Sequence, residues 1–410
     1  MKKVKTIFSP RKLVVWLFLL LIIITVPEFT SPSMSQTEAI VNMMCVDTEA
    51  DNFNVAASII TPAEGKKANY TIYNASGKTL GDAMDKISLS IGKEMGFSQC
   101  EVMAFGDNIS EKGVISALDF MVRLKKVSRN AILMNFSGDV KDFGEAVRKL
   151  YTDKQIKIEQ VINFDKRYIL SEDCTIDNFY LGYFNQTTVG ILPKIKVQKQ
   201  EMDNAIEVQA SDQSGTSGQS SSGGEQQEKM YLLNDGTMSI YKKGIKLLEM
   251  DESQVQDVNL FINKDYQGLV ILENITDDIY NDATVVINIT KNKPKLKATF
   301  ENDLPVYKID NTLTFYIEEI VQDEQRSTFM RRNKEFYTKT LLDAIKEKVK
   351  TNMEQTIEFC KTNKLDLIKV FENFNCFKYG QFKKYTEKVG KENYLDQINY
   401  QITVDLESAY

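Results

Sequence analysis

Apolar residues recur at every third or fourth position in some segments of the chain and at every second position in others. The first spacing, over 79–91, predicts a helix with one buried face. The second spacing, over 283–289, 295–300 and 312–317, predicts antiparallel strands with one buried face. The two kinds of segment together predict an α+β fold with mixed or antiparallel sheets.

The N-terminal half, about 38–200, alternates strand and helix signals. Strands are predicted over 39–46, 53–60 and 131–136, and helices over 79–91, 114–122 and 140–151. This alternation predicts an α/β region of one to two domains.

The C-terminal half, 229–410, opens with two short apolar runs on either side of Asn234, Asp235 and Gly236. Asparagine, aspartate and glycine between two strand-like segments predict a hairpin turn.

A long helix is predicted over 334–361, with a last strand over 400–404. The apolar residues of the helix recur three or four apart and form one stripe, which consists of Leu342, Ile345, Val349, Met353, Ile357 and Cys360. We expect this stripe to pack on the C-terminal sheet.

A polar segment over 201–228 separates the two halves. Its central part, QASDQSGTSGQSSSGGEQQ, contains no large apolar residue. Such a Ser-, Gly- and Gln-rich composition predicts a flexible linker or a long surface loop.

The N-terminus combines a basic flank over 1–12 with an almost wholly apolar run over 13–26, and together with 27–29 this run forms the predicted anchor over 13–29. This order predicts a signal anchor whose basic end stays in the cytoplasm and whose following chain lies outside the membrane. A cleaved signal is the alternative, but no A-x-A-like site follows, and no cysteine for lipid attachment follows either. The anchor residues are Leu13, Val14, Val15, Trp16, Leu17, Phe18, Leu19, Leu20, Leu21, Ile22, Ile23, Ile24, Thr25 and Val26.

The composition excludes several classes of active site and binding partner. The chain has no histidine, which excludes Ser-His-Asp and Cys-His nucleophiles and His-ligated metals. The net charge of −6 argues against a nucleic-acid partner. No catalytic residue, cofactor or metal is predicted. The five cysteines form no CxxC pair, so we expect most of them to be small buried residues, although Cys360 and Cys376 could pair.

Two local motifs invite a functional interpretation. The segment Gly77-Lys78-Thr79 lacks the preceding glycine of a phosphate loop, because Ile72 stands there, so a turn glycine and a threonine helix cap are favoured. The acidic group Glu318, Glu319, Asp323 and Glu324 lacks EF-hand spacing and is typical of a solvated face.

Six segments in the same order resemble the Ger(x)C family, the C subunits of nutrient germinant receptors in endospore-forming bacteria. In the N-terminal half these are AIVNMMCVDTEADNFNVAASIITP, GKTLGDAMDKIS and GVISALDFMVRLKKVSRNAILMNFSGDVKDFGEAV. In the C-terminal half they are MSIYKKGIKLLEMDESQVQDVNLFI, ATVVINITKNKPKLKATFENDLPVYKIDNTLTFYIEEI and DLIKVFENFNCFKYGQFKKY. The chain departs from the family at the missing lipobox cysteine, at Cys45 and Leu124, and in having Trp16 as its only tryptophan.

The resemblance implies a three-domain, non-catalytic protein on the outer face of the cytoplasmic membrane, or of the inner membrane of a spore. It implies assembly with an A-type subunit and a transporter-like B-type subunit, and leaves the small-molecule ligand unidentified. By the same resemblance, Phe120, Arg123, Asp366 and Phe374 are candidate partner contacts. Two other functions stay open: a stand-alone solute-binding or cell-envelope interaction protein, and an envelope hydrolase that uses two carboxylates.

Overall fold

The computed structural model describes most of the chain beyond the N-terminus. The described residues are 38–61, 69–125, 127–152, 156–158, 160, 174–184, 189–200, 229–322, 325–327 and 337–409. The predicted anchor over 13–29 and the predicted linker over 201–228 lie outside them. Among the described residues, no helix has the length and apolar character needed to span a membrane.

The described segments form fourteen strands and eight helices. The strands are β1 (Glu38–Glu49), β2 (Asn52–Thr61), β3 (Asn69–Gly77), β4 (Glu94–Gly96), β5 (Val102–Gly106), β6 (Ile132–Ser137), β7 (Gly190–Gln200), β8 (Lys229–Lys242), β9 (Ile245–Met250), β10 (Gly268–Ile275), β11 (Ala283–Glu301), β12 (Leu304–Gln322), β13 (Gln325–Ser327) and β14 (Asn399–Ser408). The helices are α1 (Leu80–Ile91), α2 (Asp107–Lys112), α3 (Ile115–Leu124), α4 (Val140–Thr152), α5 (Ile176–Phe184), α6 (Glu252–Ile262), α7 (Lys339–Asn363) and α8 (Val370–Val389).

The first sheet has the strand order β3-β2-β1-β5-β6-β7-β8-β9, with β4 beside β1. Its central strands β1, β5, β6 and β7 are parallel and its outer strands are antiparallel. Helices α1, α3 and α5 contribute Met84, Leu118 and Phe179 to the core on one face, and α4 contributes Phe143 to the core on the other. Because both faces are covered, the central strands are apolar nearly throughout.

The first sheet extends past the segment that the composition predicts to be a linker. Strand β8 pairs antiparallel with β7, and β9 pairs with β8, so 229–250 belongs to the first sheet rather than to the second. A polar segment without apolar residues is typical both of an interdomain linker and of a connection between neighbouring strands. Composition alone does not distinguish the two.

The predicted hairpin turn at Asn234-Asp235-Gly236 is wrong. These residues lie inside the single strand β8, where the register against β7 shifts between Pro193 and Ile195. Gly236 does have a positive φ of 79°, as the motif predicts, but it forms a bulge and the strand continues. The reversal into β9 occurs at Lys243 and Gly244, whose φ angles are 52° and 75°.

The second sheet has the order β10-β11-β12-β13, with β14 parallel to β12. Helix α7 packs against β10 and β14, and its buried residues include Ile345, Val349 and Met353. The predicted α+β fold, the long helix on the C-terminal sheet and the return strand are therefore confirmed. Helix α8, which the sequence analysis did not predict, packs beside β11.

The segments 283–289 and 295–300, predicted as two strands, are halves of the single strand β11. The register shifts between Ile289 and Lys291, and Asn292 is buried, so the apolar alternation is interrupted although the strand continues. The Asn292 amide donates to the carbonyls of Asn259, Leu260 and Asn263 at the end of α6. The polar residue on the inner face of β11 thus satisfies the carbonyls at the end of a helix, which the spacing of apolar residues does not reveal.

The predicted cap at Thr79 and the predicted burial of cysteines are confirmed. Thr79 Oγ1 accepts a hydrogen bond of 3.1 Å from the Asp82 N–H at the start of α1. All five cysteines are free, and only Cys376 is exposed. Cys360 and Cys376 are therefore not paired in this structure.

Candidate functional site

A cavity of about 360 Å³ lies between helix α5, the start of β7, the end of α6 and the turn between α7 and α8. It lies where an element of the first sheet's core meets elements of the second, a common position for a binding site. Its lining residues are Asn178, Leu181, Gly182, Val189, Gly190, Ile191, Ile262, Asp366, Leu367, Lys369 and Glu372.

Two glycines allow the close approach of α5 to the start of β7. A Cβ at Gly190 would lie 2.8 Å from the Phe179 ring, and a Cβ at Gly182 would lie 3.4 Å from the Gly190 nitrogen. Phe179 in turn packs edge-on against Tyr241 of β8, with ring centroids 5.4 Å apart. Small residues at both positions therefore fix one wall of the cavity.

The opposite wall is the turn before α8, which Asp366 holds in place. Its carboxylate accepts hydrogen bonds from the Val370 and Phe371 N–H groups, at 2.8 and 2.7 Å, and from the Tyr394 hydroxyl. Burial raises the pKa of Asp366, although these three donors act in the opposite direction. Lys369 completes the turn in the left-handed region, with a φ of 58°.

The cavity suits binding better than acid–base catalysis. Both oxygens of Asp366 already accept hydrogen bonds, so its carboxylate is not free to act as a base. Leu181, Val189 and Ile262 supply an apolar lining, and Lys369 and Glu372 place one charge of each sign beside it. No ion pair of Lys369 or Glu372 is found within the described residues. The arrangement can therefore hold an apolar group flanked by polar ends.

The four candidate partner contacts occupy different environments. Arg123 lies at the surface, 75% exposed, and pairs with Asp119 at 2.7 Å. Phe120 is partly buried, near Gly81 at the start of α1. Asp366 lines the cavity, whereas Phe374 is fully buried. In the isolated chain, Asp366 and Phe374 would therefore act on a partner indirectly, by positioning the turn before α8, and the contacts themselves stay a prediction.

Phe374 is part of an aromatic cluster under α8. Its ring stacks on Phe382 with centroids 4.9 Å apart and packs edge-on against Phe300 of β11 at 5.6 Å. This cluster fastens the start of α8 to the second sheet.

An apolar surface on α5, which the sequence analysis missed, adjoins the cavity. Leu181 and Phe184 are 66% and 74% exposed, and Tyr180 stacks beside Phe184 with centroids 5.9 Å apart. We call Tyr180, Leu181, Tyr183 and Phe184 the α5 surface. Burial raises the pKa of the Tyr180 hydroxyl. The charges of Asp119 and Arg123 shift the same pKa in opposite directions, so these residues, at the end of α3, lie beside the α5 surface. The run FYLGYF was the sequence signal, because it leaves a short helix without a polar face.

A charge network of two buried lysine side chains and two half-buried carboxylates lies at the carboxyl ends of β5 and β6, where sheets of this kind often bind ligands. Asp107 and Glu249 each contact both Lys194 and Lys246. Ser137 also donates to Asp107. Burial opposes ionisation of Asp107 and Glu249, but these donors and positive charges lower the pKa of both carboxyls. The charges cancel within the network, which fastens β9 to the centre of the sheet.

Two family profiles match the chain. The sequence profile described as "Spore germination protein N-terminal domain" matches residues 35–197, and the profile described as "Spore germination B3/ GerAC like, C-terminal" matches residues 235–408. The two matches span most of the chain and follow one another in the family's order. The chain belongs to the Ger(x)C family of spore germination proteins.

A crystal structure described as that of the GerBC protein shares the fold. The alignment covers 90% of this chain and 97% of that chain, with a TM-score of 0.52 and 12% sequence identity. At 12% sequence identity this match supports a shared fold and nothing further. No curated protein sequence matches the chain at a significant level.

Proposed function

We propose that the chain is a membrane-tethered, extracytoplasmic subunit of a nutrient germinant receptor and acts as a non-catalytic scaffold or sensor. The observation that supports this most is the match of both family profiles, in order, over 35–197 and 235–408. The gap between the two profiles, 198–234, contains the polar segment 201–228, although β8 and β9 after it still pair with the first sheet.

The N-terminal segment supports tethering. Its basic flank over 1–12 and apolar run over 13–26 are typical of a signal anchor that leaves the following chain on the outer face of the membrane. Tethering raises the local concentration of the chain beside membrane subunits, so that modest contacts suffice for assembly. The partners would be an A-type subunit and a transporter-like B-type subunit.

The α5 surface is the best candidate for the contact with another receptor subunit. Exposed aromatic and aliphatic side chains lie there beside a cavity that can receive an apolar group, and Arg123 lies at its border. Interfaces between subunits are enriched in aromatic residues and arginine, which agrees with this composition. Asp366 and Phe374 would contribute by holding the cavity wall.

A mild-detergent pull-down of the tagged full-length chain from its native membranes tests the proposal. Recovery of a transporter-like subunit and an A-type subunit by mass spectrometry is the expected result. Recovery of the intact, membrane-bound chain without either subunit would contradict it. The cavity, with Lys369 and Glu372 at its rim, would then favour a stand-alone solute-binding protein of the cell envelope.

A further inference from the structure

Four lysines form a row along the outer face of β11. Lys291, Lys293, Lys295 and Lys297 occupy alternate positions and are all exposed. Alternate residues of a strand point to the same face at intervals of about 6.7 Å, so the row extends for about 20 Å. The buried Asn292 between them bonds the end of α6, which fixes the lysines on the face opposite to the helices.

The neighbouring strand adds a fifth lysine to this face. Lys308 of β12 lies directly opposite Lys297 in the antiparallel pair. Like charges that face each other across two strands are destabilising. A neutral polar residue at either position would remove this repulsion, so the fold tolerates its cost. We call the five residues of this surface the lysine face: Lys291, Lys293, Lys295, Lys297 and Lys308.

Carboxylates compensate this face only in part. Glu301 pairs with Lys308 at 2.8 Å, and Glu407 lies 3.8 Å from Lys293. Asp310 lies opposite Lys295 in the register but forms no ion pair with it. Within the described residues, Lys291, Lys295 and Lys297 have no carboxylate within 4 Å. Asp405 of β14 also lies on this face by register and pairs with Lys346 of α7 at 3.4 Å, so the uncompensated positive charge is confined to the row on β11.

Protection of a sheet edge accounts for part of the row. Lysines often blunt the exposed edge of a sheet. Strand β10 pairs only with 283–289 of β11, so the segment that carries the four lysines has a neighbouring strand, β12, on one side alone. Lys308, however, lies on β12 between β11 and β14, so the lysine face extends from the edge onto the flat of the sheet, where it can meet an extended surface.

We propose that the lysine face docks on the anionic lipid headgroups of the membrane that carries the protein. The proposal rests on the tether in the proposed function, which holds the chain beside such a surface. The segment 30–37 between the predicted anchor and β1 can reach at most about 27 Å, which keeps the folded part of the chain beside the bilayer. A row of lysines without a matching pocket suits a laterally continuous negative surface, which attracts each cation by charge alone.

Energy transfer between the protein and labelled lipid tests this docking. The purified full-length chain is reconstituted in vesicles of phosphatidylcholine or of an equimolar mixture with phosphatidylglycerol, each with an acceptor on a headgroup. The donor is placed at Gln401→Cys, an exposed residue of β14 opposite Lys308, in a Cys376→Ser background. The remaining cysteines are buried. We expect higher transfer on the anionic vesicles, and a decrease as salt is added.

The variant Lys291→Gln, Lys293→Gln, Lys295→Gln and Lys297→Gln should lower the docking equilibrium on anionic vesicles at least tenfold, since each lysine contributes about fivefold. The matched control replaces Lys383, Lys384, Lys388 and Lys391, which are exposed residues in and after α8, with glutamine. It should change docking less than about twofold, well below the effect of a single lysine at the lipid surface.

Two results would overturn the proposal. One is equal transfer on neutral and anionic vesicles, which would leave the lysine face without a part in lipid contact. The other is an equal loss in the control variant. Because only this chain and lipid are present, either result leaves the pull-down test of the proposed function unaffected.

Discussion

The hydroxyl of Tyr394 donates a hydrogen bond of 2.7 Å to the buried carboxylate of Asp366. This bond joins the loop before β14 to the start of α8, and the same carboxylate accepts the N–H groups of Val370 and Phe371. Burial of the phenol beside this acid raises the pKa of Tyr394 well above its usual value. One side chain thus fixes the turn that forms a wall of the cavity.

The variant Asp366→Ala should therefore destabilise the chain by about 3 kcal/mol. It removes the cap of α8 and leaves the Tyr394 hydroxyl buried without its acceptor. Urea unfolding of the full-length chain would measure the change. Asp278→Ala, at an exposed loop position, is the matched control and should have little effect. Equal losses in the two variants would contradict the role of Asp366.

The network of Asp107, Lys194, Lys246 and Glu249 predicts a coupled effect of substitutions on stability. The Lys194 and Lys246 side chains are each 8% exposed, so Lys246→Met leaves two carboxylates facing one cation and should cost about 2 kcal/mol. The double variant Lys246→Met, Glu249→Met restores neutrality and should cost less than the sum of the single changes. A double-mutant cycle from urea unfolding measures this coupling, with Lys264→Met as a surface control. Additive losses would show that the four groups act independently.

Asp257 of α6 predicts a pH dependence of stability. Burial, together with the charge of Asp251, raises the pKa of Asp257 to about 7, while Lys348 opposes the shift. Between about pH 4 and pH 7 the folded chain holds a proton that the unfolded chain has lost, so this group lowers the free energy of unfolding as the pH rises.

The variant Asp257→Asn should remove that contribution. It should be more stable than the original chain at pH 8, by on the order of 2 kcal/mol, and similar to it at pH 4. Thermal or urea unfolding at the two pH values would check this, with the exposed Asp265→Asn as the control. A difference that does not change between pH 4 and pH 8 would rule out titration of Asp257 in this range.

The cysteines predict a simple count of reactive thiols. Burial raises the pKa of Cys45, Cys100 and Cys360 to about 12, and Cys174 is also buried. A maleimide should therefore label one site, Cys376, in the native chain and all five after unfolding in urea. Mass spectrometry counts the adducts, and Cys376→Ser should give none in the native state. A second rapid adduct would mean that one of the four buried sites opens locally.

The sequence correctly predicts the elements in which burial of one face alone determines the order of apolar and polar residues. The stripe of α7 faces one apolar surface, so its spacing identifies both the helix and its buried side. The pattern fails where a residue serves two elements at once. Asn292 lies in strand β11, but its side-chain amide donates a hydrogen bond to the carbonyl of Asn263 after α6. The pattern fails again at Gly236, whose positive φ serves a bulge rather than a turn.

The cavity depends on contacts that no local pattern contains. Gly182 and Leu367 line it together although they lie far apart in the sequence. Of the four residues taken from the family resemblance, only Asp366 lines it, because resemblance identifies positions but not the direction in which a side chain points. The lysine row was visible in the segment KNKPKLK, whose alternation fixes the face once β11 is known to be a single strand.

The α5 surface gives the sharpest test of subunit contact. Leu181 and Phe184 are mostly exposed, so Leu181→Asn with Phe184→Asn should leave the free energy of unfolding nearly unchanged. If the surface is covered in the receptor, loss of two apolar side chains worth about 1.5–3 kcal/mol each should lower recovery of the other subunits more than tenfold. Quantitative mass spectrometry of the pull-down measures this. The control, Leu89→Asn with Leu304→Asn, changes two exposed leucines on other elements, α1 and β12. Because both variants lose similar apolar area, a selective loss in the first would assign the contact to α5, whereas equal recovery would place the subunit interface elsewhere on the chain.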